Sequence, residues 1–172
     1  MITKTIKVVC TTICIAIVTV AYVDLTNALP VAVKIQENVV LKEIKKDLVK
    51  LKAPEKKIGE LANAVYTSHQ STGFNPKLIV ALMYTESKFN KDAIGPPNRT
   101  NIRYKGLLQT PTYTSFSNVD TLHGLMILKE KLEITDHDLR KALALYKGGL
   151  NPTALGQADV VLALYQNLQH TY

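Results

Sequence analysis

Apolar residues at helical spacing recur along this 172-residue chain from Ile58 onward. Residues three and four positions apart lie on the same side of an α-helix. Pro54, Gly73 and Gly148 interrupt the pattern and separate the helical segments. The sequence therefore predicts a mainly α fold. The predicted stripes are Ile58, Leu61, Ala62 and Val65; Ile79, Leu82, Met83 and Glu86; Leu122, Leu125, Met126 and Leu132; Leu139, Ala142, Leu143 and Tyr146; and Val161, Leu164, Tyr165 and Leu168.

One region within this pattern has no helical period. Residues 95–101 are rich in glycine, proline and asparagine, and they run into Ile102, Arg103 and Tyr104. This composition predicts a loop or a short hairpin. The length of the chain and its 47% hydrophobic content fit one domain with a core of its own.

The N-terminal segment has the composition of an export signal. Lys4 and Lys7 precede an uncharged apolar stretch from Val8 to Val23, and Thr26 and Ala28 follow at the spacing of a cleavage site. Residues 1–28 are therefore predicted to be a signal peptide, with a retained membrane anchor helix as the alternative. In either case we expect an exported domain, either periplasmic or anchored at the outer face of the cytoplasmic membrane.

The segment after this signal is predicted to be a linker. Residues 29–54 are rich in lysine and carry a weak apolar stripe that includes Ile44 and Leu48, which is typical of an amphipathic helix. The compact domain is predicted to span residues 55–172. Both cysteines, Cys10 and Cys14, lie in the apolar run, so we expect the exported domain to be held by its core and not by disulfides.

The net charge of +7, from 21 Lys and Arg against 14 Asp and Glu, suggests an anionic partner such as a cell-wall polymer. The chain has no zinc-finger spacing, aromatic RNA-binding motif or glycine-rich phosphate loop, so we expect no nucleic-acid partner. Its histidines have no metal-ligand spacing, and no metal or cofactor is expected. Membrane contact is expected only through the N-terminal segment.

Glu86 is the candidate catalytic acid. It continues an apolar stripe on a helix for which Asn75 is the predicted N-cap and Pro76 the first residue. Burial raises the pKa of a carboxyl group and prepares it to act as a general acid near neutral pH. The alternative is a surface glutamate at a frayed helix end.

Tyr146 ends a second apolar stripe, which would place its phenol inside the protein. A buried hydroxyl and a buried carboxyl each need a polar partner. Pairing between Tyr146 and Glu86 is therefore a hypothesis, and an ordinary core tyrosine is the alternative.

Three segments together resemble the motifs of the soluble lytic transglycosylases. They are Glu86-Ser87, Gly106-Leu107-Leu108-Gln109 and Leu145-Tyr146-Lys147-Gly148-Gly149. In that family the motifs usually read Glu-Ser, Gly-Leu-Met-Gln and Ala-Tyr-Asn-Ala-Gly. The resemblance covers the chain from Ile58 to Tyr165. It implies a lysozyme-like α-helical domain in which a short loop or hairpin lines the cleft.

The resemblance also implies roles for individual residues. Glu86 would be the catalytic acid and base, and Tyr146 the tyrosine that contacts and orients it. Ser87, Leu108 and Gln109 would be the substrate-binding residues of the sugar cleft.

The chain departs from the family pattern at three positions. Leu108 replaces a methionine of similar volume, Lys147 stands where the family has asparagine, and Gly95 stands where many members have serine. The segment Ala93-Ile94-Gly95 resembles the corresponding segment of the small transglycosylases of conjugation and secretion machines. An envelope-spanning machine of that kind is thus an implied partner.

The activity implied is a lyase reaction on peptidoglycan glycan strands. It cleaves the β-1,4 bond between N-acetylmuramic acid and N-acetylglucosamine and forms 1,6-anhydromuramic acid. Glycoside hydrolysis, by contrast, uses two carboxylates. Between Glu86 and Gln109 the candidate for the second carboxylate is Asp92, which stands at a position typical of a capping or solvent residue. A muramidase of the same fold, or a wall-binding scaffold protein with a weakened site, is the alternative.

Overall fold

The computed structural model describes residues 34, 36–97, 101–111 and 116–170. The chain divides into two compact units, Met1–Val40 and Leu41–Tyr172. In the first unit, residues 36–40 are helical. The segment 1–28 predicted as a signal or anchor lies outside the described residues. Among the described helices, none is both long and apolar enough to cross a membrane.

The larger unit is mainly α-helical, which confirms the predicted class. It begins with helix α1 at residues 41–50, followed by a short 3-10 helix at Glu55–Lys57. The remaining elements are α2 (Ile58–Thr72), α3 (Pro76–Ser87), β1 (Ile94–Pro97), β2 (Arg103–Lys105), α4 (Ser117–Ile134), α5 (Leu139–Tyr146) and α6 (Pro152–Gln169).

Helix α3 is the most completely buried helix and determines where the site lies. Every residue from Leu78 to Met83 is buried, which is the pattern of a helix surrounded by protein on all sides. It packs against α2 and α6, while α4 packs against α2 and α5. The C-terminal end of α3, with Glu86 and Ser87, therefore projects from the core toward the hairpin that follows it.

Local capping signals explain where α3 and α5 begin. The Asn75 side chain accepts a hydrogen bond from Lys77 N at 2.9 Å, which confirms the predicted N-cap. Helix α5 is capped by Asp138, whose carboxylate accepts from Lys141 N at 3.0 Å. Thr135 closes α4, and its hydroxyl donates to Lys131 O at 2.8 Å.

Helix α1 belongs to the compact unit, which starts at Leu41 and not near residue 55 as the sequence suggested. Ile44, Asp47 and Leu48 are all buried. Asp47 lies 3.6 Å from the ammonium of Lys77 at the start of α3. The apolar stripe was visible in the sequence, but the helices that cover it lie far along the chain.

The two strands form an antiparallel hairpin in the region predicted as a loop or hairpin. Ile94 pairs with Lys105, and Pro97 pairs with Arg103. Lys105 also pairs with Thr110, which closes the tight turn formed by Gly106, Leu107, Leu108 and Gln109. The hairpin and this turn lie opposite the end of α3.

Candidate active site

Glu86 is an acid in a mostly buried position. Its side chain is 12% exposed. Burial raises the pKa of this carboxyl group, and the positive charge of Lys147 and its hydrogen bond act in the opposite direction. The result is a pKa above the ordinary value, which is the property that a general acid requires.

Lys147 is the partner of Glu86. Its ammonium lies 2.6 Å from Glu86 Oε1, and its side chain is 9% exposed. A second contact, 3.4 Å from Thr85 Oγ1, holds the ammonium against the end of α3. The described residues supply Oε1 with no other hydrogen-bond partner. Sequence reasoning noticed Lys147 only as a departure from a motif.

Tyr146 does not make the hydrogen bond with Glu86 that the sequence suggested. Its hydroxyl donates to the backbone carbonyl of Leu108 at 2.6 Å. Burial raises the pKa of the phenol well above its usual value, and the negative charges of Glu86 and Asp120 add to the effect. Tyr146 is therefore a neutral donor that ties the end of α5 to the turn beside Glu86.

Asp120, on the first turn of α4, organises that turn and was missed by the sequence analysis. It is buried, and its carboxylate accepts hydrogen bonds from Leu107 N at 2.6 Å and from Thr110 Oγ1 at 3.3 Å. A Cβ on Gly106, whose φ is +88°, would clash with the Asp120 carboxylate. One feature of the sequence could have indicated that Asp120 is buried: it lies four residues before Gly124 and eight before Leu128, and so on the same helix face.

Gln109 is fixed in the cleft by two hydrogen bonds. Its amide donates to Ala93 O at 3.1 Å and to Gly106 O at 2.9 Å. A Cβ on Gly95 would lie 2.6 Å from Gln109 Oε1, so the missing side chain at position 95 makes room for this amide. The departure at Gly95 and the motif residue Gln109 thus form one packing unit.

The other two predicted substrate-binding residues differ in their access to the cleft. Ser87 lies on the cleft wall, although its hydroxyl donates to Met83 O at 3.1 Å within its own helix. The Leu108 side chain is fully buried, which corrects the expectation that it would line the cleft. It packs against α4 at Gly124, where an added Cβ would lie 2.6 Å from Leu108 Cβ.

The cleft has two compartments that meet at Glu86. The larger, of about 1010 Å³, runs along β1 and the end of α3. The smaller, of about 350 Å³, extends toward α4 past Ile127 and Lys131. The residues common to both are Glu86, Tyr104, Gln109, Lys147 and Gly148.

Glu86 is the one acidic side chain among the described residues that line either compartment. Residues 98–100 and 112–115 contain no Asp or Glu in the sequence. Asp92 is exposed and lines neither compartment. The described residues contain no group of three or more His, Cys, Asp or Glu side chains suited to hold a metal ion. The arrangement offers one carboxyl group for proton transfer.

Comparison with protein-family models, with curated proteins and with solved structures gave no match for this chain.

Proposed function

We propose that the protein is a peptidoglycan lytic transglycosylase with a lysozyme-like helical fold. The observation that supports this most is that one carboxyl group among the described residues lines the cleft, that of Glu86, which is mostly buried at the junction of the two compartments. A glycan strand that occupied both compartments would have one glycosidic bond beside Glu86. The predicted export segment would bring the domain to the space where peptidoglycan lies.

In the proposed reaction Glu86 transfers a proton twice. As an acid it protonates the oxygen that links N-acetylmuramic acid to N-acetylglucosamine, and the bond from the muramoyl C1 to that oxygen breaks. As a carboxylate it then removes the proton of the muramoyl C6 hydroxyl, whose oxygen bonds to C1 and closes the 1,6-anhydro ring. The acid is regenerated without water, so one carboxyl group is sufficient.

The supporting residues keep the cleft in shape around this acid. Tyr146 joins α5 to the turn through the Leu108 carbonyl, and Asp120 holds the same turn from α4. Gln109 presents its side chain in both compartments. Ser87 and Gln109 are the proposed contacts to the sugar, whereas Leu108 acts through packing.

A hydrolytic muramidase is a weaker candidate because it requires a second carboxylate about 5 to 9 Å from the first. Among the described residues no second acid lines the cleft. A wall-binding protein with a weakened site is favoured by one observation, the ion pair between Lys147 and Glu86, because the neighbouring ammonium favours the carboxylate form, which has no proton to donate.

Digestion of purified peptidoglycan, followed by mass spectrometry of the products, tests the proposal. We expect the wild type to release fragments that end in 1,6-anhydromuramic acid and Glu86→Gln to release none. Asp92→Asn is the matched control, because it also replaces one carboxylate by an amide but at an exposed position outside the cleft. Reducing muramic acid ends from the wild type would identify a muramidase. Binding without release of fragments would identify the scaffold protein.

A further inference from the structure

A glycan oxygen that approached Glu86 at Oε1 would meet the ammonium of Lys147. It lies 2.6 Å from Oε1, and both side chains line both compartments of the cleft. A glycosidic oxygen must reach hydrogen-bond distance of the same carboxyl group to receive a proton. At Oε1 the ammonium and the glycan oxygen would therefore compete for one position.

The backbone fixes Lys147 at this position. It is the C-cap residue of α5 and directly follows Tyr146, which is held by its hydrogen bond to the turn. Gly148 and Gly149 follow with φ values of +123° and +127°, which end the helix there. The end of α5 is thus anchored on one side, while the lysine side chain retains rotatable bonds through which its ammonium can move.

Among the described residues, two other lysines and two tyrosines line the cleft. At the C-cap of α3, the ammonium of Lys88 lies 3.6 Å from the centre of the Tyr84 ring. On α4, Lys131 lines the smaller compartment and lies 2.8 Å from Glu130. From the hairpin and α5, the phenols of Tyr104 and Tyr146 face the same cleft.

We propose that Lys147 is a positioning residue that favours the ionised form of Glu86 in the free protein and withdraws when a glycan takes its place at Oε1. The part of this inference that concerns the glycan rests on the proposed function. Loss of the neighbouring positive charge favours the neutral form of a buried acid. Glu86 then takes one proton from solvent, gives it to the glycosidic oxygen as the C1–O bond breaks, and regains one from the C6 hydroxyl. It releases that proton to solvent when the ammonium returns.

The first test titrates Glu86 directly and needs no catalysis. Carbon-13 NMR of labelled glutamate carboxyl groups would follow its titration, with Glu86→Gln used to assign the signal. We expect the titration midpoint of Glu86 to move to higher pH in Lys147→Met, in which the side chain keeps a similar length but loses its charge. In Lys147→Arg we expect the midpoint to stay near the wild-type value. Lys141→Met is the matched control, because Lys141 is also on α5 but pairs with Asp138 at the surface.

The second test compares pH profiles measured on soluble, uncross-linked glycan strands. The alkaline limb of kcat/KM reports the acid in the free enzyme, and that of kcat reports it in the complex. In the wild type we expect the alkaline limb of kcat at higher pH than that of kcat/KM, because the ammonium is beside Glu86 only in the free enzyme. In Lys147→Met the difference in pH between the two limbs should become smaller. Lys147→Arg should keep this difference.

The results separate the two proposals. A midpoint in Lys147→Met that is unchanged or lower would overturn the role of Lys147, as would coincident limbs in the wild type. The Glu86 midpoint could move as expected while neither the wild type nor any variant forms anhydro products. That result would support the effect of Lys147 on the protonation of Glu86 and reject the proposed lyase activity.

Discussion

Glu86 illustrates how burial and charge pairing oppose each other at a single residue. Removal from water favours the neutral carboxyl group, and the ammonium of Lys147 favours the charged one. The pKa remains above its ordinary value, so burial is the larger effect. The buried carboxyl therefore costs stability near neutral pH, as a residue placed for chemistry and not for folding would.

Glu86→Gln should change how stability depends on pH. Because the folded pKa is raised, the contribution of Glu86 to stability is present below its ordinary pKa of 4.5 and is lost as the pH rises through the folded value. Glutamine has no such loss. We expect the variant to gain stability relative to the wild type as the pH rises above about 4.5, measured by urea unfolding. A constant difference across this range would contradict the raised pKa.

Gly95→Ala should reduce activity more than stability. The new Cβ would meet Gln109 Oε1 at 2.6 Å, and the flexible amide would leave its bonds to Ala93 and Gly106. We expect a loss of stability of about 1 to 3 kcal/mol, at about 0.5 to 1.5 kcal/mol for each of the two hydrogen bonds, and a larger relative fall in kcat/KM. In the background of Gln109→Ala the same substitution should have little further effect on kcat/KM. Fully additive losses would show that the two residues act independently.

At the scale of secondary structure, the site depends on how closely α4 approaches α5 and the turn. Gly124 makes this approach possible, since an added Cβ would lie 2.6 Å from Leu108 Cβ and 3.0 Å from the Tyr146 hydroxyl. Helices α4 and α5 and the turn thus meet at Gly124, which has no side chain. Asp120 fixes the same turn one helical turn earlier on α4.

Gly124→Ala should destabilise the protein although alanine is the better helix former. Overpacking against Leu108 and Tyr146 costs about 1 to 3 kcal/mol, and kcat should fall because the turn moves. Gly156→Ala on α6 is the control: its Cβ would meet nothing within 4 Å, and we expect a gain of up to about 1 kcal/mol from helix propensity. Thermal unfolding of both variants checks the sign of each change. Equal effects would show that α4 can shift without cost.

Asp120→Ala should disrupt the turn from the other side. It leaves the buried Leu107 N–H without its acceptor, at a cost of about 1 to 3 kcal/mol. Activity should fall with it, because Gln109 follows in the same turn. Retention of both stability and activity would mean that the turn is held by its pairing with Lys105 alone.

At the scale of the molecule, the larger unit includes α1. Ile44, Asp47 and Leu48 are buried, and Asp47 and Lys77 join α1 to α3. The ammonium of Lys77 also donates to Leu168 O at 2.7 Å near the end of α6. The first and last helices of this unit therefore meet at the start of the helix that carries Glu86.

Two neighbouring substitutions test the place of α1 in the unit. Leu48 is fully buried, and Leu48→Ala should cost about 2 to 5 kcal/mol of unfolding free energy. Val49 is 59% exposed, and Val49→Ala should change stability by less than about 0.5 kcal/mol. Equally small changes in the free energy of unfolding for the two variants would show that α1 is a linker and not part of the folded unit.

The sequence by itself determined the helical class, the N-cap of α3 and the position of Glu86 on a buried stripe. These features are local, because periodicity and capping depend on residues a few positions apart. The ordered motifs also identified Gln109 and Tyr146 as members of one site, although they assigned Tyr146 the wrong hydrogen-bond partner.

Only the tertiary structure decided which groups meet at the acid. Lys147 lies 61 residues after Glu86 in the numbering of the chain, and Asp120 reaches the turn from another helix. Periodicity defines the face on which a side chain lies, but not which distant element covers that face. The side chain that reaches Glu86 is that of Lys147, the C-cap residue of α5, and not that of Tyr146 one position before it, so the partner of Glu86 is an ammonium and not a phenol.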